Sequence, residues 1–520
     1  MKVQAAPLPK QHELELEEGQ NSSRTMLLTV LLPAAVSALL LIAAFPRPGW
    51  FPLAWVALVP WLVSLPRLDF RQAALSSLTL GMLFFAGLLY WVALFGVVPW
   101  LLLALVEALF ILAAGIVIWH GRNLPGWLKI PVTAAAWTVF EWLRSLTAYG
   151  FPWGWLGYSQ SPWLSIVQLA SLTGVPGITF LIVLSNAALA ELFRPRRRLV
   201  GRLAPLLGTW ALIGFVATVG HFCQQVVSDS GSQIPVTIVQ PNNRDLIPGE
   251  YGTWQDADLH QERAALEQLT PAVARTKAKL TIWPESSLPI AINQDLTIEL
   301  WTSEMARRTG GWLLLGGALG DDKGNTYNSA YLLSPAGKFL DHSEKVHLVP
   351  FGEFVPGRNW LPGIKNYPVR DFDLTPGKQL KTLAAGNHRL GVSICFESIF
   401  PVIARTQVRQ GANLLVVMTN DGWFKGTAAA AQHQQMAVLR AVETRRAVAR
   451  AALTGISCFI TPEGRVTQQL GLNRRGLISD YVRVEKGQTP YVRYGDWFVA
   501  LSALITLTGL ISSCRKTTQV

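Results

Sequence analysis

The chain has 520 residues, half of them hydrophobic, with a mean hydropathy of +0.29, which is too long for one domain and too apolar for an ordinary soluble enzyme. Charged residues make up 15% of the chain, against about 25% in soluble proteins. That deficit is concentrated before residue 226 and in the last 25 positions, so a membrane part and a soluble part are expected. The net charge of +12 does not point to nucleic acid, because the basic residues do not gather on one aromatic-interleaved face. Many lie between apolar runs, where positive charge sets membrane orientation.

In chain order, residues 1–25 form a mixed-charge leader with Glu13, Glu15, Glu17 and Glu18, expected to be disordered and cytoplasmic. The apolar run that follows is succeeded by further spans, so it is read as retained rather than as a cleaved signal peptide. Stretches long enough to cross about 30 Å of hydrocarbon recur. They fall at 26–45, 50–65, 72–94, 97–119, 129–148, 165–190, 204–224 and 495–513, making about eight spans, of which the second is short and Pro-flanked. With the leader inside, the cytoplasmic loops hold Arg67, Arg71, Arg122, Lys129, the cluster Arg194, Arg196, Arg197, Arg198 and Arg202, and finally Arg515 and Lys516. The outside loops hold almost only Arg47. The expected organisation is therefore a bundle of about seven spans over 26–225, an extracytoplasmic domain over 226–490, and a last span with a short cytoplasmic tail over 491–520.

Within the fifth span, Glu141 and Arg144 sit one turn apart and are expected to form a structural ion pair. The uncharged loop GFPWGWLGYSQSPW follows, and Trp153, Trp155, Tyr158 and Trp163 suit a headgroup boundary. From Pro235 the pattern becomes short β-rich runs (VTIVQ, LTIW, WLLLGG, SAYLL, RLGVSI, NLLVVM, ISCFIT) between polar helical stretches, an α/β domain. The phrases YLL-SPAG-KFL and CFI-TPEG-RVT predict hairpins, and the Ala-rich stretch 428–450 predicts one long helix.

Three places where a strand hands over to a loop carry candidate chemistry. LTIWPESSLP presents Glu285; HSEKVHLVPFGEFVP contains Lys345 and Glu353; RLGVSICFESIFP ends a strand at Cys395, with Glu397 beside it. Singly each has an ordinary reading: a solvated carboxylate, a surface lysine, a buried inert thiol. Together they supply the nucleophile, base and oxyanion cation that acyl transfer needs, and strand ends can bring them to one sheet edge. A thiol of pKa about 8.5 needs help near neutral pH, which a partly desolvated Glu285 can give while Lys345 stays cationic. Cys223 and Cys514 lie in apolar segments, and Cys395 and Cys458 show no CxxC spacing. Neither a disulfide framework nor a metal site is expected, and no cofactor.

The phrases WPES, KVHLVPFGEFVP, CFES and TNDGWF resemble the Glu-Lys-Cys site of the nitrilase (carbon-nitrogen hydrolase) superfamily. Their attachment to apolar spans, with EWLRS, GFPWGWLGYSQ and QPN, resembles its membrane-bound branch, the apolipoprotein N-acyltransferases. The resemblance implies an α-helical membrane bundle bearing an α/β nitrilase-like αββα sandwich. It also implies Glu285 as general base, Lys345 as oxyanion stabiliser, Cys395 as nucleophile, and Glu353 and Glu397 as supporting carboxylates. Phe396 departs from the tyrosine common in that family.

The activity implied is transfer of a fatty acyl chain from a phospholipid, through a Cys395 thioester, to the free α-amino group of a diacylglyceryl-cysteine at an apolipoprotein N-terminus. The location implied is a bacterial inner membrane with the catalytic domain on the periplasmic side. A mouth or lid for lipid is expected in the loop 354–372 and the Trp423–Phe424 pair, whose ordinary reading is loop packing. Two alternatives stay open: a membrane-tethered amidase using the same three residues, in which water takes the acyl group and against which the amount of membrane architecture weighs, and a lipid-binding scaffold without catalysis, against which the intact Glu285, Lys345 and Cys395 weigh.

Overall fold

The computed structural model describes residues 26–193, 199–226, 232–243, 256–358 and 373–517. The leader 1–25, Arg194, Arg196, Arg197 and Arg198, and positions 359–372 of the expected lid lie outside the described residues. The chain forms two compact units: Met1–Leu143, Phe180–Ala211 and Ser502–Val520 make up one, and Arg144–Thr179 with Leu212–Leu501 the other.

The apolar runs become helices. Among the described residues, five helical stretches are long and apolar enough to cross a membrane: Leu27–Ala44, Val97–Asn123, Val175–Leu192, Val200–Gln225 and Trp497–Arg515. The other three expected spans are helical but shorter or more polar. Phe70–Leu88 carries Arg71, Gln72 and three hydroxyl residues, and Gly126–Leu143 carries Lys129 and Glu141. The stretch Phe51–Arg67 breaks into three short turns, each opened by a proline (Pro52, Pro60, Pro66). Broken backbone in an apolar setting needs internal partners. Asn186 supplies two, donating to the carbonyl of Ala54 and accepting from the amide of Leu58, each at 2.8 Å. The sixth span starts at Val175 rather than 165, because Pro176 suits a first helical turn and not a helix interior. Helices Phe70–Leu88 and Val97–His120 pack closely through small residues, since a Cβ on Gly81 would lie 2.8 Å from the Cα of Ala108.

The second unit is a four-layer αββα sandwich. Its first sheet contains β1 (Ser232–Gln240), β2 (Leu280–Ile282), β3 (Leu288–Ala291), β4 (Trp312–Gly320), β5 (Thr326–Leu333) and β6 (Phe339–Glu344). The second contains β7 (Thr382–Ala385), β8 (His388–Ile394), β9 (Leu414–Thr419), β10 (Val448–Ala452), β11 (Ser457–Ile460) and β12 (Val466–Leu470). The last strand, β13 (Gly476–Val484), returns to the first sheet. The sheet orders are β13-β1-β2-β4-β5-β6, with β3 on β4, and β12-β11-β10-β9-β8-β7. β1-β2-β4 and β8-β9-β10 pair in parallel, and their strand ends carry the site.

Strand alternation builds both cores. Leu314 faces the second sheet with Val236, Ile282, Val392 and Val416, whereas its neighbours Leu313 and Leu315 face the helices Asp256–Thr276 and Leu296–Thr309. Both expected hairpins form, β5–β6 through Gly337 and β11–β12 through Gly464, with φ of 78° and 91°. The stretch 428–450 is not one helix. It is helical over Ala429–Thr444, reverses at Arg445 (φ 51°), and continues as β10 between β9 and β11. Ladder pairing on both sides overrides its helical composition.

The loop after Leu143 also departs from expectation. Trp153, Trp155 and Tyr158 are 2%, 2% and 1% exposed, packed inside the second unit rather than serving as interfacial anchors. Trp153 donates from Nε1 to Gln432 Oε1 at 2.7 Å and meets Phe424 edge-on, and Arg440 donates to the Tyr158 hydroxyl. Arg144 turns its Nη1 to the carbonyls of Phe151 and Trp153 at 3.1 and 3.0 Å, fixing the loop's entry. Trp153→Ala is expected to cost about 3–5 kcal/mol, the range for large buried aromatics, while Trp163→Ala, at a half-buried position, costs under about 1 kcal/mol. Thermal midpoints of the detergent-solubilised proteins check this, and equal midpoints for the two variants would refute it.

Candidate active site

Four strand ends converge on a buried polar cluster. β2 ends at Ile282, and the Trp283-Pro284 turn delivers Glu285, where Ser287 Oγ donates to the Pro284 carbonyl at 2.7 Å. Gly316 on β4 leaves room for this turn, because a Cβ there would lie 2.5 Å from the Pro284 carbonyl oxygen. Lys345 follows β6, its amide tied to the Asn328 carbonyl of β5 at 2.8 Å. Cys395 follows β8 and Asn420 follows β9.

Lys345 Nζ lies 2.9 Å from Glu353 Oε1 and 3.4 Å from Glu285 Oε1, and all three side chains are no more than 7% exposed. Asn328 Nδ2 bridges the same oxygens, donating to Glu285 Oε1 at 2.8 Å and Glu353 Oε1 at 3.1 Å. The Asn420 amide donates to Glu285 Oε2 at 2.8 Å, and the Val349 amide to Glu353 Oε2 at 2.9 Å. Burial by itself would lower the Lys345 ammonium, but the Glu353 and Glu285 carboxylates outweigh it and hold it above its ordinary value. Burial raises Glu353, yet the Lys345 charge prevails and keeps that carboxyl below the usual range.

Cys395 sits at φ 52°, a conformation costing a non-glycine residue about 1–2 kcal/mol. Burial pushes its thiol well above the ordinary value; the Glu285 charge adds to the rise and Lys345 opposes it. Burial and the Glu285 charge thus both disfavour the thiolate at this position.

Both oxygens of the Glu397 carboxylate are taken by backbone amides. Oε1 accepts from the amides of Val346 and His347 at 2.7 and 3.1 Å, and Oε2 from Ile394 at 2.8 Å, clamping the Cys395 turn to the loop that carries Lys345. Burial pushes its carboxyl up to about 7 against these amides, which favour the ionised form. Phe396 joins an aromatic cluster, 5.9 Å from Phe151 and 5.2 Å from Phe400 between ring centres. Phe424 is packed between Trp153 and His433, so of the expected lid pair it is core, with Trp423 half-buried beside it.

A second buried network supports the Cys395 turn and had no signal beyond the TNDGWF phrase. Ser398 Oγ donates to the Cys395 carbonyl at 2.8 Å and lies 2.7 Å from His433 Nε2. With its proton so used, Ser398 accepts from Nε2–H, which leaves His433 Nδ1 an acceptor for Arg450 Nη2 at 3.1 Å. The longer 3.3 Å approach of Nδ1 to Asp421 is then not an ion pair, consistent with burial and the Arg450 charge lowering the His433 pKa. Arg450 pairs instead with Asp421, at 2.8 and 3.1 Å to its two oxygens, and Thr419 Oγ1 donates to Asp421 at 3.0 Å. Among the described residues no group of His, Cys, Asp and Glu is arranged to hold a metal ion.

The field around the thiol yields a signed prediction, best read in a Cys223→Ser/Cys514→Ser background because those two thiols are exposed. Glu285→Gln removes a charge that raises the Cys395 thiol, so the midpoint of its alkylation-versus-pH curve should move down. Lys345→Met removes the opposing cation and should move it up. Shifts in the same direction for both variants would contradict the geometry.

Comparison with known proteins accounts for both units. The family described as the apolipoprotein N-acyltransferase N-terminal domain matches residues 37–188, and the carbon-nitrogen hydrolase family matches residues 236–489. An apolipoprotein N-acyltransferase of Geobacter metallireducens is 33% identical over 486 residues, covering 90% of this chain and 92% of the relative. Those of Nitrosomonas europaea (33% identical; 86% and 90% covered) and Gloeobacter violaceus (32%; 90% and 91%) are similar along nearly their whole lengths. Matched from the apolar helices through the Glu-Lys-Cys cluster, the chain belongs to the apolipoprotein N-acyltransferase family.

Proposed function

We propose that the protein moves a fatty acyl chain from a membrane phospholipid to the α-amino group of an apolipoprotein's N-terminal diacylglyceryl-cysteine, in two half-reactions at one site. The observation that carries this reading is a buried Glu285–Lys345–Cys395 cluster in the same chain as helices able to cross a membrane. Both substrates are lipid-anchored, and confinement to one bilayer raises their effective concentration.

In the first half-reaction the Cys395 thiol gives its proton to Glu285 as sulfur attacks the ester carbonyl. Lys345 Nζ stabilises the tetrahedral oxyanion. Collapse breaks the ester C–O bond, and the leaving glycerol oxygen takes the proton from Glu285, releasing a lysophospholipid and leaving a thioester. In the second, the acceptor amine attacks the thioester carbonyl and loses a proton to Glu285. The C–S bond then breaks, the sulfur recovers that proton, and an amide is formed. Glu353 keeps Lys345 charged and placed, and Glu397 fixes the backbone on which Cys395 sits. Asymmetry of the basic residues supports an inner-membrane protein whose Cys395 unit faces the periplasm.

Intact-mass spectrometry of the parent after exposure to phospholipid should show a hydroxylamine-labile acyl adduct, absent in Cys395→Ala and discharged by a diacylated lipopeptide with N-acylation. A parent that stays unmodified across phospholipids would overturn the proposal, and an adduct discharged equally fast by water would favour amidase activity. Glu285→Gln should lower the rate of adduct formation about 10²–10⁴-fold, the usual worth of general acid–base catalysis, in single-turnover measurements.

A further inference from the structure

Beside Cys395 lies a hydroxyl to which the two half-reactions give no task. β8 and β9 run parallel with Ile394 level with Met418, so the residues that follow them, Cys395 and Thr419, are neighbours at one sheet edge. Thr419 is the last residue of β9 and is fully buried, and its carbonyl accepts from the Leu453 amide at 2.9 Å. Its Oγ1 lies 3.0 Å from Asp421 Oδ1. Burial dominates the surroundings of the Cys395 thiol, and the Thr419 hydroxyl is a hydrogen-bond partner that acts against it, favouring the ionised sulfur.

A hydroxyl has one proton to give, and here two anions can take it. While the sulfur is protonated, Thr419 donates to Asp421. Burial would raise the Asp421 carboxyl, but the Arg450 charge prevails and keeps it below the usual range, so this acceptor is ionised. When the sulfur ionises, a buried thiolate without a donor would be costly. Asp421 can give the proton up, because Arg450 Nη2 stands 3.1 Å from Oδ1 and 2.8 Å from Oδ2 and remains a donor to both. The heavy atoms need not move. Arg450 Nη1 is held by the Ile456 carbonyl, and Asp421 packs so closely on Gly455 that a Cβ there would lie 2.5 Å from the Asp421 Cβ. Only the hydroxyl hydrogen has to turn.

We propose that Thr419 is a further catalytic residue, whose hydroxyl turns its proton from Asp421 to the Cys395 sulfur as the thiolate forms during attack and again as the thiolate leaves the acceptor's tetrahedral intermediate. Thr419 keeps its own proton throughout, and the thiol proton still goes to Glu285. The role rests on Cys395 being the nucleophile of the proposed transfer.

Alkylation of Cys395 by iodoacetamide as a function of pH tests this in the full-length, detergent-solubilised Cys223→Ser/Cys514→Ser protein, without lipid. Thr419→Val keeps the shape and loses the hydroxyl, and should raise the midpoint by about one pH unit or more, the worth of one hydrogen bond to a charged group. Thr419→Ser keeps the hydroxyl and should retain the parent midpoint. In single-turnover acyl transfer, Thr419→Val should slow the maximal rate about tenfold and leave the half-saturating phospholipid concentration unchanged. A parent midpoint in Thr419→Val overturns the inference, and so does an equal rise in Thr419→Ser, because packing and not the hydroxyl would then be responsible. Should Thr419→Val fail to fold, Thr419→Ala has the same expected and the same overturning outcome. Because alkylation needs no lipid, a raised midpoint in Thr419→Val beside a parent that takes no acyl group from any phospholipid upholds Thr419 as the partner of the thiolate and overturns only the proposed donor.

Discussion

The catalytic unit is organised around one costly requirement: an ammonium group buried to 1% exposure at Lys345. An unpaired charge there would cost several kcal/mol even after relaxation. Glu285 and Glu353 offset that penalty, and Asn328 Nδ2 donates to both of their carboxylates. The end of β2, the start of β5, the end of β6 and the 349–353 turn must therefore meet, and their meeting point defines the edge at which Cys395 is presented. Changing any one of them alters the charge balance of the others, because they share oxygens.

That balance also sets how the thiol can react. Two carboxylates and one ammonium leave the cluster short of positive charge, so a thiolate cannot form there without a proton being taken up nearby. Glu285 is held by donors on both oxygens, and its charge is one of those that raise the thiol. The strained backbone of Cys395 is held from two sides. Glu397 binds the Ile394 amide before the turn and two amides of the Lys345 loop, and Ser398, backed by His433, Arg450 and Asp421, binds the Cys395 carbonyl. Positioning is thus carried by rigid groups on the second sheet and its helix Ala429–Thr444, while charge is handled from the first.

Much of this was legible before any fold was known. Glu285, Lys345, Cys395, Glu353 and Glu397 stood out because they lie where strand-like runs hand over to loops or turns, and strand ends are where an α/β sheet exposes side chains at an edge. Other members were silent. Asn328 lies inside β5 and looks like an ordinary strand residue, and Arg450 lay in a stretch whose composition is helical. The aromatic loop 150–163 misled for a related reason: an uncharged, Trp-rich segment after an apolar run has the composition of an interfacial belt and equally that of a buried wedge.

What the sequence alone determined were the properties carried by local order: apolar length, the two-residue alternation of strands, Pro and Gly at turns, one-sided basic residues, and the types of the reacting groups. Tertiary structure decided which of those groups share hydrogen bonds, that Trp153 and Tyr158 are core, that residues 448–452 are a strand, and that Arg67, Arg122 and Lys129 line one cavity. The division has one physical cause. Local preferences are worth tenths of a kcal/mol per residue, whereas pairing a buried charge or closing a sheet ladder is worth several, and those partners are distant in sequence.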